Sequence, residues 1–529
     1  MNRLFLGDCL EVLKGEVDTE SVDLVYIDPP FNSKRNYNIF FDDSKIHTQR
    51  VAFEDTWSFK NVSDSLEELN TLQTEDLFKL LKVYSEVSGH SFPYLVMMGS
   101  RIVEFHRVLK NTGSFYIHLD PTMSHYIKTI CDVVFGHGNF RNEITWVRTN
   151  VHNDVRGKYD DITDVILFYS KSDDYYFSTQ FTGQSDEYIQ DKYTHVSEEG
   201  RKYRLDNLTS PNPRPNLTYE YKGYKPPSFG WRVSREKMEQ LDQEGRLHLP
   251  KDKSKRIQLR RFLEETKGLP LGNVWTDIPP LNSQSNERLG YPTQKPKQLL
   301  DRILLSSSQE GDVVLDGFCG CGTTLDSSEG LKRKWIGIDI SPLSISLVKK
   351  RLEKGYGSSV SKYEVRGFPT DFPSAVKLWE ENPFGFQDWW LTELDVLSTT
   401  YGKKGSDKGL DGQGLYVVDN KGTTVKVGFQ VKGGEKVQSK DMDSLLGTME
   451  KHKCSMGVFL TVTPPTKPMM ETVVESGFFG VSGFKYPRLQ VLTLEDFFSG
   501  KRPKLPSTNI TYKSAKPTKK SSGELGLDL

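Results

Sequence analysis

Val22-Asp23-Leu24-Val25-Tyr26-Ile27-Asp28-Pro29-Pro30-Phe31 is the stretch on which the fold turns. A short apolar run rich in β-branched and aromatic residues, closed by a carboxylate and two prolines, has the composition of a buried parallel strand leaving its sheet. Asp28 then stands at the carboxyl end of that strand, the edge of an open α/β sheet at which ligands bind. Two consecutive prolines hold the backbone in an extended turn with few free amides. Asp28 is thereby fixed, and the Pro29 carbonyl is left as an acceptor outside any helix. On these residues alone, a plain strand-ending turn and a catalytic turn explain the pattern equally well.

The sequence around this strand alternates between strand and helix from residue 2 to about 170. Strands are expected at 113–120, 142–148 and 165–169, and apolar residues recur at helical spacing over 66–83 and 94–109. Residues 32–57 are polar and aromatic without a period and read as a long loop over the strand end, a usual place for substrate contacts. An α/β pattern returns after residue 273, with a helix at 296–306 and strands at 312–316 and 334–339.

The second informative phrase is Val313-Val314-Leu315-Asp316-Gly317-Phe318-Cys319-Gly320-Cys321-Gly322-Thr323-Thr324. It is strand, turn and helix start in one. Gly320 and Gly322 let backbone approach a ligand closely, and Thr323 or Thr324 is placed to cap the helix. Asp339 follows Asp316 by about the 20 residues at which an acidic side chain meets ribose hydroxyls in nucleotide-binding βαβ units. The third glycine of the dinucleotide fingerprint is missing, and no lysine stands ready for phosphate. The turn therefore suits an adenosyl ligand with a positive centre and no phosphate, and S-adenosylmethionine is such a ligand.

With both phrases in view the chain resembles the β-class amino DNA methyltransferases. In that family an Asp-Pro-Pro-aromatic motif precedes the recognition region and a Phe-x-Gly-x-Gly motif follows it. The resemblance covers residues 1 to about 355 and includes Tyr291-Pro292-Thr293-Gln294-Lys295-Pro296, similar to the family's motif upstream of the cofactor strand. It implies a mostly parallel, seven-stranded, Rossmann-like S-adenosylmethionine-dependent methyltransferase sheet, circularly permuted so that the catalytic half comes first. It also implies Asp28, Pro29, Pro30 and Phe31 as the catalytic set, with Phe31 stacking on a flipped base. Asp316, Phe318, Gly320, Gly322, Thr323, Thr324, Asp339, Lys295 and Pro296 are the implied cofactor residues. Asp-Pro-Pro resembles the adenine enzymes and Ser-Pro-Pro the cytosine ones, so adenine in double-stranded DNA is the expected target and cytosine-N4 the alternative. Phe31 departs from the commoner Tyr but keeps a stacking face.

Between 173 and 272 the sequence becomes charged, aromatic and proline-rich. Residues 201–261 hold 16 Lys and Arg against 7 Asp and Glu, with Tyr219, Tyr221, Tyr224, Phe229 and Trp231 interleaved. A solvated insertion is also charged, but a local basic excess in a chain of net charge −1 marks this as the expected DNA-contacting, target-recognition insertion. The domain plan is a catalytic half at 1–172, the insertion at 173–272 and a cofactor half at 273–360. A linker at 361–384, a second α/β domain at 385–500 and a disordered tail at 501–529 complete it.

In that second domain Lys408-Gly409-Leu410-Asp411-Gly412 precedes Gln430-Val431-Lys432, which resembles the Mrr-like branch of the restriction-endonuclease fold. Gln430 and Lys432, two apart on a strand, share a face. The resemblance implies Mg²⁺ held by Asp411 and the Gln430 carbonyl oxygen, Lys432 acting on a water, and Glu393 as a third member of the site. Gln430 stands where an acidic ligand is usual, so a domain that only binds DNA or a partner is the competing reading. The whole chain then reads as a DNA methyltransferase with a nuclease-like module, paired with a restriction or defence subunit. The alternative is a nuclease whose methyltransferase half reads DNA.

Bulk properties agree. At 529 residues the chain exceeds one core. No apolar run nears the roughly 18 residues of a membrane span, and the amino terminus turns acidic too soon for a secretion signal, so a cytoplasmic protein is expected. Five cysteines do not make a disulfide framework, and Cys319-x-Cys321 lacks a second pair for structural zinc.

Overall fold

The computed structural model describes residues 1–30, 36–43, 46–54 and 62–506, with short breaks at 72–73, 89–90, 152–155, 158, 283–284, 286, 290, 292, 399–408, 419–423, 435–436 and 482. Phe31 and most of the expected tail lie outside the described residues. The chain divides into two compact units, Met1–Ser178 with Asn273–Leu529, and Thr179–Gly272.

The first unit is built on a nine-stranded sheet. Its strands are β1 (Asn2–Leu6), β2 (Val22–Ile27), β3 (Leu109–Leu119), β4 (Phe140–Val147), β5 (Thr163–Ser170), β6 (Val274–Trp275), β7 (Val313–Asp316), β8 (Lys334–Asp339) and β9 (Tyr363–Arg366). They lie in the order β6-β4-β5-β3-β2-β7-β8-β1-β9. Only β5 runs antiparallel to its neighbours. The expected seven strands gain two short edges, β6 and β9. The stretch read as a linker in fact supplies β9, paired with β1, and the helix Phe372–Glu381. A four-residue edge strand has no apolar run to announce it. Residues 32–57, expected as a loop, contain the antiparallel pair Asn36–Asp43 and Ile46–Glu54.

Alternation along the central strands decides which face each side chain joins. Phe5, Val25, Ile27, Phe115, Ile117, Leu315 and Ile338 enter one core with the helices Cys9–Glu16, Phe92–Val108 and Ser124–Phe135. Leu24, Tyr26, Tyr116 and Val314 pack on the opposite face against Leu299, Leu300 and Ile303 of the helix Lys297–Ser307. This two-faced burial is why these strands read as continuous apolar runs.

A second sheet in the same unit has the order β10 (Leu397–Ser398), β11 (Gly412–Val417), β12 (Thr424–Lys432), β13 (Met456–Thr461), β14 (Leu489–Thr493). Its first three strands are antiparallel and its last three parallel. The helices α1 (Pro342–Tyr356) and α2 (Pro383–Glu393) join the two sheets in one apolar cluster. Leu4, Trp335, Ile345 and Val348 pack there with Phe386, Trp389, Trp390, Val427 and Phe429.

The second unit has its own antiparallel sheet, in the order Leu247–His248, Gln258–Phe262, Lys202–Asn207, His195–Val196. Tyr221, Tyr224 and Trp231 are buried with Met238 and Leu241 and form its core. These aromatics, expected to face DNA, instead hold the unit together; Phe229 is exposed, and Tyr219 packs at the core's edge.

Candidate active site

Three parallel strands bring their carboxyl ends to one edge. Leu315 of β7 pairs with Val25 of β2, and Asp316 with Gly337 of β8, so Asp28, Asp316 and Asp339 all leave the sheet on the same side. They line a cavity of about 460 Å³, within the range of small-molecule sites. Gly7 and Asp8, at the end of β1, line it as well.

Each carboxylate is held differently. Asp316 is buried, with Oδ1 accepting from the Phe318 amide at 3.0 Å and Oδ2 from the Thr324 hydroxyl at 2.6 Å. Asp339 accepts from the Gly320 amide and the Ser341 amide, both at 2.8 Å. Burial pushes the Asp316 carboxyl up to about 7 and Asp339 up to about 6; for Asp316 the nearby Asp28 and Asp339 charges add to the rise. Both groups are costly anions in the free protein, which favours a cationic ligand beside them.

The glycine turn works in a way the motif alone did not convey. Gly322 itself is the N-cap of the helix Thr323–Gly330, at φ +77°, and no side chain caps it. The threonines are used elsewhere: Thr324 holds Asp316, and Thr323 accepts from Arg351 Nη1 at 3.0 Å. A Cβ on Gly322 would meet Val348 at 2.7 Å, so this glycine admits the neighbouring helix α1. A Cβ on Gly320 would face the Tyr291 ring, which lines the cavity, at 3.2 Å.

Asp28 has a partner that local sequence did not reveal. Lys295 Nζ donates to Asp28 Oδ2 at 2.6 Å, and both side chains are largely buried. Asp28 Oδ1 is buried with no hydrogen-bond partner among the described residues. Pro29 and Pro30 line the cavity with Asp28, and Phe318 lines it beside Asp316. Pro296 is buried at the start of the helix Lys297–Ser307. Behind the site, Tyr26 Oη shares a 3.1 Å hydrogen bond with His118 Nδ1, and His118 Nε2 lies 3.0 Å from Asp164 Oδ2.

Sequence reasoning missed Asp8, Arg101, Tyr26 and Thr293, all of which line the cavity. Asp8 caps the helix Cys9–Glu16 and pairs with Arg101 at 2.5 Å. Its signal was present: a strand, then Gly7-Asp8, then an amphipathic run. Asn382, Phe384, Gly385 and Asp388, from the start and body of α2, also line the cavity, and nothing local marks them.

In the second sheet, Asp411 Oδ2 accepts from the Val431 amide at 2.7 Å, so Asp411 lies beside the strand that carries Gln430 and Lys432. Gln430 Oε1 is buried with no hydrogen-bond partner among the described residues, and Lys432 is exposed at the end of β12. Glu393 closes α2, and its carboxylate accepts from Ser346 Oγ at 3.5 Å. Among the described residues no three His, Cys, Asp or Glu side chains gather as a metal site.

A mostly parallel sheet with a glycine turn between two strand-end carboxylates is the architecture of an α/β protein with a nucleoside-type pocket. The chain belongs to the DNA methylase family of N6 and N4 methyltransferases, whose model matches residues 22–350. The Type II methyltransferase M.EcaI of Enterobacter cloacae is 31% identical over 50% of this chain and 58% of its own length. The StyLTI Mod subunit, of a Type III restriction-modification enzyme from Salmonella typhimurium, is 27% identical over 63% of this chain and 52% of its own. The chain thus spans little more than half of either relative. The DNA adenine methyltransferase YhdJ of Escherichia coli is 25% identical over 66% of this chain and 81% of its own length. Among solved structures, the M1.HpyAVI complex with S-adenosylmethionine matches at 17% identity over 66% of this chain and 99% of that one, with a TM-score of 0.31. No helix among the described residues is long and apolar enough to cross a membrane.

Proposed function

We propose that the chain transfers a methyl group from S-adenosylmethionine to the exocyclic amine of a flipped adenine in double-stranded DNA. The observation that carries this reading is Asp28: a largely buried carboxylate with one oxygen on Lys295 and the other, buried, unpartnered among the described residues. An exocyclic amine is a poor nucleophile because its lone pair is delocalised into the ring. Asp28 Oδ1 and the Pro29 carbonyl, both acceptors, bind its two N–H groups and favour a tetrahedral nitrogen. Fixed acceptors of this kind act on charge that develops in the transition state. Lys295 keeps the carboxylate in place and leaves Oδ1 for the base. S-adenosylmethionine supplies an electrophilic methyl on its sulfonium when bound. Asp339 would hold its ribose, and Asp316 lies where a positive charge compensates the buried carboxylate.

The strand order supports a circularly permuted methyltransferase sheet, since the cofactor strand β7, late in sequence, lies beside β2 at its centre. Adenine is favoured by Asp28-Pro29-Pro30, and cytosine-N4 is the alternative. In the second unit His248, Lys251, Lys255, Arg256 and Arg260 line one concave face, which suits a phosphate backbone. The second sheet is read as a nuclease-like module, with Asp411 and Gln430 as Mg²⁺ ligands and Lys432 on the attacking water; the unpartnered Gln430 oxygen favours a ligand there. A restriction subunit is the partner that the Mod-subunit relative suggests.

Tritiated-methyl transfer to DNA tests the central claim. Asp28→Ala should lose transfer by about a hundredfold or more while keeping S-adenosylmethionine binding. Transfer at the wild-type rate would refute the role of Asp28.

A further inference from the structure

On the S-adenosylmethionine reading, we infer that helix α2 of the C-terminal region completes the cofactor site, with the Phe384 ring stacking on the adenine of the cofactor opposite Ile340. The family model ends at residue 350, yet the cavity does not. Asn382, Phe384 and Asp388 form part of its wall, 32 or more positions beyond the matched segment.

Two observations single out Phe384. It lines the cavity but is 60% exposed, and Ile340, which also lines it, is 65% exposed. Large apolar side chains left open on a cavity wall gain most when a flat apolar ligand covers them. Phe384 also has no ring partner among the described residues. Ile340 directly follows Asp339, the ribose ligand in this reading, so a base attached to that ribose falls beside it. A purine has two faces and needs two apolar surfaces.

Phe384 is presented by a rigid support. Asn382 Oδ1 accepts from the Gly385 amide at 2.8 Å and fixes the start of α2, and a Cβ on Gly385 would collide with Asn382 Nδ2 at 2.6 Å. Phe386, Trp389 and Trp390 of the same helix are fully buried. They pack with Val427 and Phe429 of β12, the strand that also bears Gln430 and Lys432. One helix therefore touches the cofactor cavity on one side and the second sheet on the other, so an occupied cavity stabilises that sheet.

Calorimetric titration of the full-length protein with S-adenosylmethionine tests this. Phe384→Ala should weaken binding roughly tenfold or more, the usual effect of removing one stacking ring. Phe384→Tyr should restore affinity to within a few-fold, and Val474→Ala, at an exposed distant site, should leave it unchanged. Because the ring is exposed, the cofactor-free melting temperature of Phe384→Ala should match the wild type. In turnover, KM for S-adenosylmethionine should rise while KM for DNA stays constant. Wild-type affinity in Phe384→Ala would overturn the inference, whereas a wild-type protein that binds no S-adenosylmethionine would overturn the reading beneath it. Hydrogen exchange should show residues 383–393 and 424–432 protected by the cofactor; an unchanged α2 would also overturn the inference.

Discussion

Asp28 and Lys295 are 267 positions apart and form one ion pair. Removing one partner of a buried ion pair strands the other charge, at a cost of about 3 kcal/mol or more. Lys295→Met should therefore lower the unfolding free energy in urea by about that amount, and Asp28→Asn combined with it should recover part of the loss. Equal stability of Lys295→Met and wild type would show that the pair contributes nothing. Asp316 and Asp339 contribute to the pH response. Their folded values, about 7 and about 6, exceed the ordinary 3.8, so between about pH 4 and 7 the native state holds protons that the unfolded chain has released. Their contribution to the stability of the cofactor-free protein then falls as pH rises through that window. A cationic cofactor favours the ionised forms, so affinity should be full above about pH 7 and weaken below it. Calorimetry near pH 6 in buffers of different ionisation enthalpy should register proton release on binding; no net release would count against these two carboxylates. All three aspartates were legible because each ends an apolar strand. Their pairings were not, because which carboxylate Lys295 or Thr324 meets is decided by tertiary packing, which leaves no trace in local spacing.

At the scale of elements, the glycine turn shows how a motif can be found and its working misjudged. Gly320 and Gly322 were visible as a ligand-approaching loop, but Gly322 is set by helix packing. With φ at +77° and Val348 only 2.7 Å from where an added Cβ would sit, Gly322→Ala should cost roughly 2 kcal/mol or more in stability. Urea denaturation measures this, and an undiminished midpoint would mean that α1 gives way freely. The strong strands, β2, β7 and β8, were legible from composition because both of their faces are buried. The edge strand Tyr363–Arg366 was not, since its polar residues carry no burial pattern. In the insertion, charge and aromatic content were read together as one DNA-binding signal. The structure separates them: most of the aromatics build a core, and the lysines and arginines stay outside it.

Across the whole molecule, length and the class-specific order of motifs located the methyltransferase sheet, and the shared core with the second sheet was hidden. Phe386, Trp389 and Trp390 read as the start of an independent domain, yet they pack with Leu4 and Trp335. The basic face of the second unit makes a separate claim. If Lys251, Lys255 and Arg256 meet phosphates, each alanine variant should weaken DNA binding uniformly across sequences and reduce the slope of log affinity against log salt by about one. An unaltered slope would remove that residue from the contact face. The pairing of β1 has a further consequence, in the order of assembly. Arg3 sits beside Ile336, and Asn2 beside Tyr363, so β1 waits for partners more than three hundred residues downstream. Such non-local pairing slows folding. β1 must stay unpaired until β8 and β9 have been made, and the sheet edge that carries Asp339 closes only then, which makes this β1 seam a late step in folding of the sheet.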